Sequence, residues 1–172
     1  MLHKIEISTT IALIISNSYI GIVKMNLVVR MGCDLKGIKM NYYILDDKDK
    51  LQVNRVVELL NNTYWAASRS KQVIEESIKN SICYGVYDQE TNILIGFARV
   101  ITDFATTYYL CDVIVDENYR GMGIGKALIE KITEDSRYAG MIGLLLTKDA
   151  HGLYKQYGFN QETTRSMIRL KL

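Results

Sequence analysis

The chain has 172 residues, 48% hydrophobic and 23% charged, with 21 Lys and Arg against 19 Asp and Glu. Those values fit one globular domain, or a domain with an appendage, and exclude wholesale disorder; a net charge of +2 without a Lys/Arg block excludes a binder that neutralises nucleic-acid phosphates. Cys33, Cys83 and Cys111 are odd in number and form no CxxC pair, which excludes a disulfide framework and a zinc site and points to a reducing compartment, the cytoplasm.

Residues 1–39 read as an N-terminal extension of uncertain structure, and 40–172 as the functional domain. The apolar stretch Ile11 to Val23 is interrupted by Ser16, Asn17, Ser18 and Tyr19 and falls short of the roughly 20 apolar residues of a membrane span. Glu6 sits where a signal peptide would be basic. The β-branched residues Ile7, Thr9, Thr10, Ile11, Ile14 and Ile15 leave a second option, an extra strand or helix that docks on the domain or on a second subunit.

From Met40 the pattern is regular. Asn41 to Leu45 predicts a strand ending at Asp46-Asp47. Val53, Val56, Val57, Leu60 and Tyr64 mark one face of a helix over 51–62. After the polar Ser68-Arg69-Ser70, a second helix over 71–80 is expected to bury Val73, Ile74 and Ile78. Ile82 to Tyr87 and Ile93 to Ile101 predict a hairpin about the turn Asp88 to Asn92, and Tyr108 to Val115 a further strand. Ile124, Leu128, Ile129 and Ile132 form a helical stripe. Ile142 to Leu146 is fully apolar, the mark of a strand covered on both faces. His151 to Tyr157 predicts a short helix stopped by Gly158, and Ser166 to Leu172 a closing edge strand. The order is that of an α+β, or mixed α/β, single domain.

The most informative piece is Val113-Ile-Val-Asp-Glu-Asn-Tyr-Arg120-Gly-Met-Gly123-Ile-Gly125-Lys126. A strand runs into three glycines and straight into a helix, whose first amides have no intrahelical partner and whose dipole adds positive charge. Glycines remove the Cβ atoms that would hold an anion away, so the turn can cradle a pyrophosphate. Two phosphate motifs fail on spacing. A P-loop meets Arg120 and Ala127 at its first Gly and its Ser/Thr, and a dinucleotide fingerprint meets Lys126 or Leu128 at its third glycine. What fits is R-x-x-G-x-G at Arg120, Gly123 and Gly125; the alternative is a tight turn that uses glycine only for geometry. Downstream, Leu153-Tyr154 and Gly158-Phe159 close a buried strand and short helix. Taken alone, Tyr154 reads as a packed aromatic with a wet hydroxyl.

In order, these two segments resemble the GCN5-related N-acetyltransferase (GNAT) superfamily over residues 41 to 170. The stretch Gly96 to Asp103 with Asp149-Ala-His151-Gly is similar to a subgroup of small bacterial members. The resemblance implies a central, mostly antiparallel sheet flanked by helices and splayed between the strands at 108–115 and 142–147, with acetyl-CoA, as co-substrate, in the resulting V. It implies that the backbone of Val113, Ile114 and Val115 pairs with the pantetheine arm. The turn Arg120, Gly121, Met122, Gly123, Ile124, Gly125 and Lys126 would hold the pyrophosphate, and Tyr154 would be the general acid of transfer to a primary amine of a small molecule or peptide by direct attack. Asp116 replaces the family's frequent proline, and Thr147 its frequent cofactor-contacting asparagine. The acceptor side is expected near the connection between the first two helices, with Trp65 as an aromatic shelf, Arg69 as a cation suited to a carboxylate or phosphate, and Asp112 beside them. A core Trp with a surface Arg is the other reading. Phe104 and Tyr108-Tyr109 could line the same cleft. The general base is left among Asp103, Asp112, Asp149, His151 and an ordered water. Neither metal, nucleic acid nor membrane is expected as a partner, a homodimer is an option the superfamily offers, and a non-catalytic acyl-CoA-binding or interaction module is the rival function.

Overall fold

The computed structural model describes residues 31–35 and 38–169, with side chains from residue 41 onward. Six strands form one sheet in chain order: β1 (Met31–Leu35), β2 (Ile38–Leu45), β3 (Ile82–Asp88), β4 (Leu94–Thr102), β5 (Thr107–Val115) and β6 (Ile142–Leu145). All neighbours are antiparallel except β5 and β6, which run parallel. The boundary expected at Met40 falls inside β2, and β1 adds residues 31–35 to the sheet. The apolar stretch Ile11 to Val23 lies outside the described residues.

Among the described residues, four α-helices cover the two faces: α1 (Val53–Asn61), α2 (Lys71–Lys79), α3 (Ile124–Thr133) and α4 (His151–Lys155). Spacing decides the face each presents. Val56, Leu59 and Leu60 of α1 and Ile74 and Ile78 of α2 pack with Phe97 and Ile114. The second layer sets Ile124, Leu128 and Ile132 of α3 against Tyr84, Ala98, Val100 and Leu110. Ser70 starts α2 by accepting the Val73 amide at 3.3 Å, satisfying one orphan donor. Val73 itself, expected in the core, is 49% exposed. Ile74 and Ile78, one turn apart, take the inner face, and their neighbour is rotated away from it.

Two expectations fail at the far edge of the sheet. Ile142 to Leu146 does form a strand, but not a doubly covered one: Ile142 and Leu144 are 66% and 50% exposed. β6 is the last strand among the described residues, so one of its faces has no helix above it. The closing strand expected from Ser166 does not form over 166–169, where Met167 and Ile168 are exposed; residues 170–172 lie outside the described part.

Candidate active site

β5 carries the break on which the site is built. β4 and β5 stay paired from Thr102↔Tyr108 to Arg99↔Cys111, and again at Phe97↔Ile114 and Gly96↔Val115, so Asp112 and Val113 together face Ala98. That is a β-bulge, whose extra residue twists the strand and reverses its alternation. Asp112 takes φ +55°, a left-handed conformation that Asp tolerates better than most side chains. The reversal shows in the packing: Tyr108 and Leu110 belong to the layer under α3, whereas Ile114, of the same parity, belongs to the layer under α1 and α2.

Beyond the bulge the sheet opens. β6 pairs with β5 only as far as Leu110↔Leu145. Cys111 to Val115 therefore have β4 on one side and, among the described residues, no strand on the other. Their backbone groups can receive an extended ligand as an added strand.

The strand then leads into a short 3-10 turn at Glu117–Tyr119 and the start of α3. Asp116 suits this junction without a proline: it is 7% exposed, accepts the Asn118 amide at 2.9 Å and pairs with Arg55. Gly121 and Gly123 have φ of +79° and +78°, and Gly123 caps α3 with no side-chain bond. A Cβ built on Gly121 would meet nothing within 4 Å. The amides of the first turn of α3, which have no partner inside the helix, begin where the free edge of β5 ends, an arrangement that fits a phosphate. Arg120 Nε donates to the Val115 carbonyl at 3.1 Å, which ties the side chain back to the end of β5. Thr147 Oγ1 accepts the Ala150 amide at 3.0 Å, capping the turn before α4.

Tyr154 projects from α4 against the α3 layer, its ring edge-on to Phe159 at 6.0 Å. Burial, with Asp149 and Tyr64 nearby, pushes its phenol up to about 12. The phenol therefore stays protonated at neutral pH, the form an acid needs. The α1–α2 connection reaches across to the segment before α4, where Lys148 Nζ sits 5.7 Å from the centre of the Tyr64 ring. Trp65 stands edge-on to Tyr64 at 4.9 Å and is 38% exposed, so it is not a core residue.

Arg69 and Asp112, two of the expected acceptor-side residues, are in direct contact. Arg69 Nη1 lies 2.8 and 2.9 Å from the two Asp112 oxygens. Arg99 Nε donates to the same carboxylate at 2.9 Å, and Arg99 Nη1 to Ser81 Oγ at 2.9 Å. Both oxygens of Asp112 are taken up by the two guanidinium groups, which removes Asp112 from the candidate bases. Asp103 is removed as well: the amides of Ala105, Thr106 and Thr107 and the Thr106 hydroxyl donate to it, holding its pKa far below the ordinary carboxylate range. Asp149 and His151 are exposed near Tyr154. Tyr108 is buried and stacks on Tyr138 at 5.1 Å, so it supports the site from beneath and does not line it, and Phe104 is exposed in the β4–β5 turn. Arg99 was missed in the sequence because it sits in an otherwise apolar strand; a charge in that setting is itself the signal for a buried partner. Among the described residues, no group of His, Cys, Asp and Glu could hold a metal ion, and no helix is long and apolar enough to cross a membrane.

Comparison with known proteins points the same way. The family model "Acetyltransferase (GNAT) domain" matches residues 79–161, from the end of α2 through α4. A Glycine max protein described as a histone acetyltransferase is 34% identical over 112 residues, covering 64% of this chain and 45% of its own. An Arabidopsis thaliana GCN5-related N-acetyltransferase, described as chloroplastic, is 32% identical over 111 residues, covering 63% and 43%. The chain thus spans less than half the length of these plant relatives. A crystal structure from Xanthomonas campestris pv. campestris, assigned to the GNAT family of acetyltransferases, superposes with a TM-score of 0.71 at 32% identity, over 76% of this chain and 93% of that one. With near-complete coverage of that relative, and a splayed sheet opening onto a glycine-capped helix, the chain belongs to the GNAT family of acetyltransferases.

Proposed function

We propose that the protein transfers the acetyl group of acetyl-CoA to a primary amine, with the co-substrate held between β5 and β6. The observation that carries this is the unpaired edge of β5 at Cys111 to Val115, ending at the glycine-rich start of α3, where no side chain caps the helix. The Val113 to Val115 edge takes the pantetheine arm, and the amides from Gly121 to Lys126 take the pyrophosphate. The amine nitrogen attacks the thioester carbonyl carbon, the C–S bond breaks, and the departing sulfur takes a proton from Tyr154. The amine's own proton leaves to water at the exposed side near Asp149 and His151, which restores Tyr154 by the same route.

The proton step sets the magnitude. With a leaving thiol near 8.5, a phenol at about 12 must donate uphill by about 3.5 units, or about 5 kcal/mol. Donation concerted with C–S cleavage avoids that full cost, because free phenolate and free thiolate do not both accumulate. Acid assistance is typically worth about 10²- to 10⁴-fold. Tyr154→Phe should therefore lower kcat by that factor and leave CoA affinity unchanged, since only the hydroxyl is lost. Because its pKa is raised, wild-type activity should show no loss attributable to Tyr154 up to pH 10 or so. A thiol-release assay over a panel of amines, peptides and amino acids tests both statements. Retained activity in Tyr154→Phe returns the residue to packing, and tight CoA binding without turnover of any amine favours the non-catalytic module. For location, we infer a reducing compartment, the cytoplasm or the plastid named for the Arabidopsis relative.

A further inference from the structure

We propose that the acceptor is an α-amino acid with an apolar side chain, its carboxylate bound by Arg69 and its side chain laid on the row Ile101–Tyr109–Leu144. The proposal rests on the acetyl-transfer reading above and names its substrate class.

Two guanidinium groups share one carboxylate, leaving one positive charge uncompensated. The Asp112 and Arg99 side chains are 1% and 10% exposed, whereas that of Arg69 is 28% exposed. Arg69 spends only Nη1 on Asp112; its Nε and Nη2 have no partner among the described residues. No buried side-chain nitrogen or oxygen among those residues lacks a partner, so these two donors reach solvent. An anchored guanidinium with a free edge is a carboxylate receptor whose ordering cost is already met.

Position then limits how far the anion can lie from the amine. Arg69 is fastened to Asp112, the residue before Val113, where the open edge of β5 would hold the thioester. An acceptor whose carboxylate sits on Arg69 and whose nitrogen reaches that edge needs the two groups close together, as on the single carbon of an α-amino acid.

Strand register supplies the apolar part. Ile101 pairs with Tyr109, and Tyr109 with Leu144, so the three side chains share one face across β4, β5 and β6. Arg99 and Ile101 are two residues apart on β4, so strand alternation places this row on the face of the arginines. Helices α1 and α2 cover Phe97 and Ile114 but stop short of it: Ile101 is 43% and Leu144 50% exposed. An apolar strip beside a fixed cation is complementary to an apolar amino acid.

The test compares L-leucine and L-phenylalanine with their decarboxylated counterparts, isoamylamine and phenethylamine, in the thiol-release assay. Each amino acid should have a kcat/KM at least tenfold above its amine. Arg69→Gln should erase that preference and Arg69→Lys should keep part of it, with thermal melts confirming that both variants fold. Trp65, the only tryptophan, supplies a readout independent of turnover: its fluorescence should change saturably with L-leucine in the presence of CoA, and not in Arg69→Gln. Equal or faster turnover of the decarboxylated amines, or an unchanged preference in Arg69→Gln, overturns the proposal and leaves acetyl transfer standing. Saturable leucine binding without acetylation upholds the site and overturns acetyl transfer. Absence of both binding and acetylation of the amino acids overturns the proposal, whatever other amines react.

Discussion

Removing the Asp112 carboxylate should be among the most damaging single changes outside the hydrophobic layers. Its side chain is 1% exposed and receives Arg69 Nη1 at 2.8 and 2.9 Å and Arg99 Nε at 2.9 Å. Breaking a buried ion pair from one side typically costs about 3–5 kcal/mol, because the remaining charge is stranded. Arg99 would be stranded with Ser81 alone, whereas Arg69 is exposed enough to rehydrate. The lower end, about 3 kcal/mol, therefore applies to Asp112→Asn, which keeps the tolerance for positive φ. Asp112→Ala loses that tolerance as well, adding about 1 kcal/mol at φ +55°. At about 2–4 °C per kcal/mol for a chain of this size, Tm should fall by about 6–12 °C for Asn and about 8–16 °C for Ala. Differential scanning fluorimetry, with urea melts to confirm unchanged m-values, measures both. An Asp112→Asn protein melting within about 2 °C of wild type would refute the buried-charge reasoning, and an Ala variant as stable as the Asn variant would refute the backbone part.

Gly143→Ala should cost about 2 kcal/mol and lower Tm by about 4–8 °C. The new Cβ would stand 2.5 Å from Cζ and Oη of Tyr108 and 3.0 Å from Cε1 of Phe159, and Tyr108 is pinned by its stack on Tyr138; an unchanged melt would show that the ring can give way. Deleting residues 1–39 should leave a folded protein that still binds CoA, because every β2–β3 pair, from Tyr42↔Asp88 to Leu45↔Gly85, lies after the cut. Melts and CoA titration of the two chains decide this, and an insoluble or non-binding product would make β1 integral to the domain.

The elements legible in the sequence are those where one residue pattern decides the structure. Ile124, Leu128 and Ile132 could only face one way on α3, and the glycines at 121 and 123 do take the positive φ that their turn requires. Ile142 to Leu146 misled because an apolar run records hydrophobicity and not coverage; whether a strand is central depends on which elements pack beside and above it. The bulge at Asp112 was beyond reach for a related reason. Nothing local in Cys111-Asp112-Val113 demands an extra residue, which arises from the pairing of β4 with β5 and is held by arginines 13 and 43 residues away. Asp112 and Val113 face opposite ways across the bulge: Val113 packs toward α3, Asp112 toward Arg69. Tyr154 was singled out only through its spacing from the glycine turn, since the burial, Asp149 and Tyr64 that raise its pKa leave no local mark in the sequence.

Acetyl transfer by this chain requires that the gap between β5 and β6 bind CoA through the start of α3. Isothermal titration of the full chain with CoA, alongside Gly123→Glu, tests that requirement most directly. The glutamate would place a side chain and a negative charge where the pyrophosphate should lie, at a residue whose φ of +78° disfavours any side chain. Saturable one-to-one binding is predicted for the wild-type protein, and none for a folded Gly123→Glu variant. No heat from the wild type at millimolar CoA, or equal affinity in the variant, would contradict it.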